Sequence, residues 1–319
     1  MGGFDPLPTP LTAQGRPRLT GVEIELGGLD EARCAKICAD RLNGRAVQRD
    51  SADWRVEDSE LGTLKVYLDT ALREAEATAL RDAALSLGRE VVPVEIVTEP
   101  LDLDGLRRLD TLREDLRLAG AVGSGGGLFF GFGVHLNVEI ASEEAGAVVP
   151  VLLAYALIED WLRRSRPIDN MRRVLPFAAP YPTSLVRELI ALGADAGLPE
   201  VIDTYLGVTN SRNHALDMLP VFAHLDHPRV ASVLTAASSP RPAFHFRLPD
   251  CRIDEPGWTL AREWRRWLLV EKVAERRDLL TALSGGWLQE HGTVTVSRGV
   301  WAKRAENLLE AHGITEPEG

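Results

Sequence analysis

The sequence predicts an α+β protein, because short alternating strands and longer amphipathic helices follow one another along the chain. Runs in which apolar and polar residues alternate are typical of strands with one buried face. Segments rich in leucine and alanine, with apolar residues three and four positions apart, are typical of helices. With 319 residues and no internal repeat, the chain is long enough for one large domain or two modest ones.

The first strand, predicted over residues 19–27, carries the most informative pattern. Its alternation places Glu23 and Glu25 on one face and three aliphatic residues on the other. Two carboxylates about 7 Å apart on a mostly buried strand repel each other unless a positive charge lies between them. A divalent cation would supply that charge, since buried charges are normally paired or bind metals. The alternative is an edge strand with a solvated acidic face, which is the commoner situation for a single acid pair.

Three further predicted strands repeat the placement of ligand-type side chains on one face. They carry Glu95 in strand 91–97, His135, Asn137 and Glu139 in strand 133–140, and His245 and Arg247 in strand 243–248. Acids, imidazoles and a guanidinium, each on one face of a strand, suit a site that binds a metal and a nucleotide. The repetition on four strands favours this interpretation over a chance acid pair.

The remaining segments complete the α+β pattern. Strands are also predicted over residues 47–56 and 64–68, and helices over residues 30–42, 71–87, 103–119, 142–164, 184–193, 258–283 and 300–312. The glycine-rich stretch 120–133 does not have the strand–loop–helix context or the G-K-[ST] ending of a P-loop. It is interpreted as a flexible loop that lets the next strand approach a ligand closely.

The chain divides into an irregular N-terminal arm (1–18), a catalytic domain (19–283) and a helical C-terminal tail (284–319). Residues 165–183 hold four prolines and no periodicity, which indicates a long surface loop and a candidate lid over the site. His224 and His227 flank Asp226, where a solvated turn is favoured over a metal site.

Composition and charge restrict the class of protein. The net charge of −11 argues against nonspecific nucleic-acid binding. Three cysteines form no disulfide framework, and two of them, Cys34 and Cys38, are expected to be buried small hydrophobic residues. Neither a signal peptide nor a run of about 18 apolar residues is recognised. A cytoplasmic protein without a nucleic-acid or membrane partner is therefore expected.

Taken in order, these motifs resemble the amidoligase family, within the superfamily of glutamine synthetase and glutamate–cysteine ligase folds. Gly21–Leu26 is similar to its G-x-E-x-E strand, Trp54–Leu61 to its W-x-V-x-x-D-x-S-L element, and Glu95–Leu101 to its E-[LIV]-V-S-P-P-L segment, with Glu99 in place of a proline. Gly133–Asn137 resembles the G-x-H-x-[HN] strand, Asn210–Leu219 an R-N-rich segment, and Phe244–Asp250 the synthetase segment E-V-R-F-P-D. The resemblance covers roughly residues 19–255 as spaced motifs.

The resemblance implies a glutamine synthetase-like fold, in which a curved, mainly antiparallel sheet carries the site on one face and helices on the other. Glu23 and Glu25 would divide two Mg²⁺ ions. Glu95 would help to bind the first ion, and His135 and His245 would complete the second. Because histidine stands at 245 where the superfamily commonly has glutamate, Mn²⁺ or Zn²⁺ would suit this position better than Mg²⁺.

The same resemblance implies an ATP-dependent ligase that joins a carboxylate to an amine through an acyl phosphate. Arg247 would bind the ATP phosphates and stabilise the transferring phosphoryl group, with Asn137 and Arg252 as further ATP-binding residues. The partners would be a carboxylate and an amine substrate, either small molecules or peptides. A glutamine amidotransferase that supplies ammonia is a further expected partner.

Two candidate substrate-binding residues and one candidate base complete the implied site. Arg212 and Asn213 would bind the substrate carboxylate, and Asp58 would accept the proton of the incoming amine.

Two other functions fit the same residues. A metal-dependent hydrolase would need one acid with a raised pKa and one ionised acid, and no phosphate-binding arginine. A catalytically inactive relative would bind a nucleotide or a partner protein without turnover. ATP consumption that depends on added metal would distinguish the ligase from both.

Overall fold

A computed structural model describes residues 3–68, 92–125, 131–169, 172, 178–234, 239–292 and 298–315. In this part of the chain, one eight-stranded sheet has the order β2-β3-β4-β5-β1-β6-β8-β7, and all of its strand pairings are antiparallel. The strands are β1 (Thr20–Leu26), β2 (Arg45–Asp50), β3 (Asp53–Ser59), β4 (Gly62–Leu68), β5 (Val94–Val97), β6 (Val134–Glu139), β7 (Leu216–Asp217) and β8 (Ala243–Phe246). The α+β class and the antiparallel sheet are thus confirmed.

Ten helices accompany the sheet in the described part of the chain. They are α1 (Glu31–Arg41), α2 (Leu103–Leu118), α3 (Ala145–Ser165), α4 (Thr183–Leu192), α5 (Leu198–Val208), α6 (Leu219–Leu225), α7 (His227–Val230), α8 (Leu260–Ala274), α9 (Arg277–His291) and α10 (Arg298–Ala311). Asp30, Asp102 and Thr259 begin α1, α2 and α8 because their side chains accept a hydrogen bond from a backbone N–H in the first turn.

One face of the sheet is apolar and packs against helices. The Phe246 ring lies 5.5 Å from Trp267 of α8 and 6.2 Å from Tyr155 of α3, measured between ring centroids. These residues belong to the hydrophobic core, as does Ile24 of β1. Since successive side chains of a strand point to opposite faces, Glu23 and Glu25 lie on the other face, which we call the site face.

Two predicted elements differ from the structure. The predicted strand 47–56 is a hairpin of β2 and β3, because Ser51 and Ala52 form a turn after Asp50, whose carboxylate accepts a hydrogen bond from the Ser51 N–H (2.7 Å). The predicted helix 258–283 is two helices that break near Arg276. Helices α5, α6 and α7 and the short strand β7 were not predicted.

The other predicted helices and strands are present with ends shifted by one to three residues, apart from the helix at 71–87, which lies outside the described residues. The same holds for 126–130 of the glycine-rich loop and for residues 170–171 and 173–177 of the candidate lid, 165–183. The three-part division of the chain stays a prediction, and helix α9 spans its second boundary.

The arm that precedes β1 is irregular but anchored to the core. Arg18 forms a buried bidentate ion pair with Glu271 of α8, at 2.7 and 2.8 Å. The Arg18 side chain also donates to the carbonyl oxygens of Glu139 and Thr9. The start of the chain is therefore tied to both β6 and α8.

Helix α3 is long and apolar enough to cross a membrane, contrary to the expectation that no such run exists. However, 83% of its most apolar 18-residue window is buried inside the protein. This burial is typical of a core helix.

Candidate active site on one face of the sheet

The strand register brings the predicted ligand-type residues together on the site face. Glu23 lies opposite His135 on β6, and Glu25 lies opposite Glu95 on β5. On the next strand, His245 lies opposite Asn137. Four adjacent strands therefore contribute to one polar surface in the middle of the sheet.

Three of these residues form a compact cluster. One possible ligand atom from each of Glu23, His135 and His245 lies within 4.8 Å of the other two. Nδ1 of His135 is hydrogen bonded to Glu23 Oε2 (2.7 Å), and Asn137 Nδ2 donates to Glu23 Oε1 (2.8 Å). Nε2 of His245 lies 3.7 Å from Glu23 Oε2, beyond hydrogen-bonding distance. The arrangement is a carboxylate held between two imidazoles and an amide.

Burial and these partners determine the charges in the cluster. Burial favours the neutral form of Glu23, but the hydrogen bond with His135 and the electrostatic attraction of both histidines outweigh it and hold the pKa of the Glu23 carboxyl well below its usual value. Burial lowers the pKa of His135, against the opposing effect of the nearby carboxylates. At neutral pH the cluster is therefore an ionised carboxylate beside a neutral His135 ring.

Two further acids extend the cluster along the site face. Glu25 Oε2 accepts a hydrogen bond from the Gly133 N–H (2.6 Å), and Glu25 Oε1 lies 3.6 Å from His135 Nε2. Glu25 and Glu95 are both 8% exposed. A Cβ atom at Gly133 would lie 2.7 Å from Arg172 Nη2 and 3.2 Å from His135 Nε2, so a larger residue there would displace the guanidinium.

Arginines surround the acids. Burial lowers the pKa of Arg247, whose Nη1 donates to the Arg212 carbonyl oxygen (2.9 Å). Arg241 Nη1 lies 3.7 Å from Glu23 Oε1. Arg172 is 2% exposed and donates to the carbonyl oxygens of Arg247, Leu248 and Pro249. The end of β8 is thus held by guanidinium groups next to the carboxylate cluster.

The remaining predicted residues lie outside the cluster. Asp58 has an 80% exposed side chain and a left-handed backbone (φ 56°), and its strand is three positions from β1, roughly 14 Å away at the usual strand spacing. Arg252 is about one-third exposed and donates to the Pro167 carbonyl oxygen. Asn213 makes backbone contacts in the loop before β7, where its carbonyl oxygen accepts from Ala179 N–H.

Arg212 pairs with an acid, since its Nε donates to Asp217 (3.2 Å), and its substrate-binding role stays a prediction. Asp226, which lies between His224 and His227, caps helix α7: its carboxylate accepts a hydrogen bond from the Arg229 N–H. His224 pairs with Glu143 on the surface. These contacts agree with the turn that was favoured there.

Sequence reasoning did not identify Asp217, Arg172 or Arg241 as site residues. Asp217 is fully buried, and its Oδ2 lies 3.4 Å from His245 Nδ1. It lies on a two-residue strand, which is too short for a periodic signal. Arg172 comes from the proline-rich segment, where no local pattern marks one arginine above the others.

The donor set fits a divalent cation. His245 Nε2 is buried and has no hydrogen-bond partner among the described residues, although it faces a carboxylate. Glu23, His135 and His245 provide oxygen and nitrogen ligands, and Glu25 and Glu95 are further acids on the same face. Two imidazoles suit Mn²⁺, Zn²⁺ or a similar ion better than Mg²⁺.

Comparison with known proteins gives one match. The model of the family described as "Putative amidoligase enzyme" matches residues 16–269, which contain all the strands and all the residues of the cluster. No curated protein and no solved structure matches the chain significantly.

Proposed function

This chain belongs to the amidoligase enzyme family, and from that premise we propose that it is an ATP-dependent carboxylate–amine ligase. The proposed reaction converts a carboxylate to an acyl phosphate and then to an amide. The glutamine synthetase-like form of the fold is part of the same proposal.

One observation favours this proposal over the alternatives. The acids and imidazoles of the cluster share one face with Arg247 on adjacent strands, and further arginines lie at its border. A hydrolase that uses two carboxylates has no need of arginines here, whereas a nucleotide phosphate needs both a cation and guanidinium groups.

The proposed cation site consists of Glu23, His135 and His245, with Glu25 and Glu95 available for a second ion. A bound divalent cation neutralises phosphate charge and holds ATP in a reactive orientation. Glu23 is suited to this role because its depressed pKa keeps it ionised at neutral pH. Without a positive charge between them, the Glu23 and Glu25 carboxylates would repel each other on one strand.

Arg247 is proposed to bind the phosphate that is transferred. Its pKa is lowered by burial, yet it remains charged because the ordinary value for arginine is far above neutrality. A buried guanidinium interacts more strongly with phosphate oxygens than a solvated one, since less water screens the charges. Its contribution is charge stabilisation and orientation as the carboxylate oxygen attacks the γ-phosphorus and ADP leaves.

The amine then attacks the acyl carbon, phosphate leaves, and the amine proton passes to a base. A general base has to lie within hydrogen-bonding reach of that proton. Asp58 stays a prediction for this role, but we leave it out of the proposed mechanism because its side chain is exposed and distant from the cluster. Arg212 and Asn213 remain proposed substrate contacts in the loop beside β8.

The first test is nucleotide binding measured by thermal shift with ATP and either Mg²⁺ or Mn²⁺. A ligand present at 100 times its dissociation constant stabilises the folded state by about 2.7 kcal/mol. We expect a metal-dependent rise in melting temperature for the wild type and for the control His224→Gln, whose histidine lies on the surface. We expect none for Glu23→Gln, which removes the charge between the two imidazoles.

The second test is release of ADP and phosphate in the presence of mixtures of carboxylates and amines. Turnover that requires metal, a carboxylate and an amine supports the ligase. Metal-dependent hydrolysis without ATP would support the hydrolase, and metal-dependent ATP binding without turnover on any mixture would support an inactive relative. No thermal shift with either metal, in a folded protein, would refute the nucleotide site itself.

A further inference from the structure

Asp217 is the most deeply buried acid on the site face. It lies on β7, directly opposite His245 in the strand register, and its side chain is fully buried. A buried carboxylate is unfavourable unless several donors satisfy it. Its partners therefore indicate what the protein uses it for.

Three donors surround the Asp217 carboxylate. Oδ1 accepts from the Leu219 N–H (3.0 Å), and Oδ2 accepts from Arg212 Nε (3.2 Å) and lies 3.4 Å from His245 Nδ1. The first contact stabilises the start of α6. The other two place one carboxylate oxygen between a cation and an imidazole.

This contact determines which nitrogen of His245 is free. An ionised carboxylate can only accept hydrogen bonds, so the tautomer of His245 that suits this contact has its hydrogen on Nδ1 and a lone pair at Nε2. Nε2 lies 3.7 Å from Glu23 Oε2 and has no hydrogen-bond partner among the residues described. Two lone pairs that face each other in a buried site repel, and a cation between them would remove the repulsion.

We propose that Asp217 is a positioning residue of the cation site, which selects the Nδ1–H form of His245 and directs Nε2 toward Glu23. This inference rests on the cation site of the proposed function. Acid partners that orient metal-binding histidines in this way typically change metal affinity by about 10–100-fold when they are removed. Neither the family match nor the sequence motifs assigned a role to Asp217.

Arg212 has a related part in the same arrangement. Its side chain neutralises Asp217, while its carbonyl oxygen accepts from Arg247 Nη1. The backbone of the same loop also holds β8, because Ala215 O accepts from the Arg247 N–H (2.7 Å). One loop thus orients His245 and Arg247, the two site residues that β8 and its end provide.

The first measurement needs no variant of Asp217. The ring nitrogen shifts and couplings of His245 are recorded by ¹⁵N NMR on the metal-free, full-length protein at mildly alkaline pH, with the signals assigned from His245→Gln. We expect the hydrogen on Nδ1. A hydrogen on Nε2 would overturn the proposal whether or not any variant folds.

The second measurement is the affinity for Mn²⁺ alone, from the electron paramagnetic resonance signal of the free ion. Asp217→Asn replaces an acceptor by an amide whose NH₂ can face Nδ1 and favour the hydrogen on Nε2. We expect Mn²⁺ binding to weaken by about 10–100-fold. The matched control is Asp226→Asn, which also removes a helix-capping carboxylate paired with an arginine and should leave the affinity unchanged.

His245→Gln distinguishes a failure of the positioning role from a failure of the cation site. If Glu23→Gln and His245→Gln abolish Mn²⁺ binding but folded Asp217→Asn binds like the wild type, the positioning role is refuted and the cation site stands. If His245→Gln binds Mn²⁺ like the wild type, the cation site at this histidine is refuted, and the positioning role with it.

Discussion

Replacement of Gly133 by alanine tests the packing that supports the site. Gly133 precedes β6. Its N–H donates to the Glu25 carboxylate (2.6 Å), and its carbonyl oxygen accepts from the Glu25 N–H (3.0 Å). A Cβ atom there would lie 2.7 Å from Arg172 Nη2 and 3.1 Å from Arg172 Cζ. Ordinary contacts are about 3.5 Å or longer, so the guanidinium would have to withdraw by roughly 0.8 Å.

The expected loss of stability follows from the hydrogen bonds that Arg172 would lose. Its guanidinium donates to the carbonyl oxygens of Arg247, Leu248 and Pro249 and to the Asp250 carboxylate. Hydrogen bonds to charged groups contribute about 1.5–3 kcal/mol each, and a displacement of this size breaks at least one. We expect Gly133→Ala to lower the free energy of unfolding by about 2–3 kcal/mol. With an unfolding entropy of about 2.1 cal/mol/K per residue over 319 residues, the melting temperature would fall by roughly 3–5 °C.

Chemical denaturation monitored by circular dichroism measures this effect. The control is Gly146→Ala, because Gly146 lies in the first turn of α3 and a Cβ atom there meets nothing within 4 Å. That variant should be unchanged or stabilised by up to about 1 kcal/mol. A Gly133→Ala protein as stable as Gly146→Ala would refute the contact between Gly133 and Arg172.

Three further predictions concern stability, pH and reactivity. Arg18→Met leaves Glu271 buried without its cation, so we expect a loss of about 3–5 kcal/mol in denaturant unfolding; a loss below 1 kcal/mol would contradict the buried pair. Burial lowers the pKa of His214 and of His291 in the folded protein, so the unfolded chain binds protons at a higher pH than the folded chain does. The free energy of unfolding should therefore fall as the pH drops below about 6.5. An increase in the free energy of unfolding between about pH 7 and 5.5 would contradict this. Burial raises the pKa of Cys38 to about 12, so the thiol should react with a thiol reagent only at the rate of unfolding, and rapid labelling of the native protein would show that it is accessible.

Alternation within each strand was sufficient to predict which side chains share a face. Glu23 with Glu25, His135 with Asn137 and the position of His245 follow from the two-residue period, which is a property of the local chain. The same local rules predicted most helices, whose caps and apolar spacing lie within a few residues of each other. They failed at the hairpin between β2 and β3, where turn residues interrupt a run that is otherwise strand-like.

Only the tertiary structure decided which strands are neighbours. The pairings of β1 with β6 and of β6 with β8 join residues 112 and 108 positions apart in the chain (Glu23 with His135, and Asn137 with His245), and no local pattern specifies such pairings. It places Asp217 behind His245, brings Arg172 against Gly133, and leaves Asp58 three strands from the cluster. The sequence by itself therefore determined the chemistry carried by each strand, while long-range strand pairing and burial decided which of those groups meet.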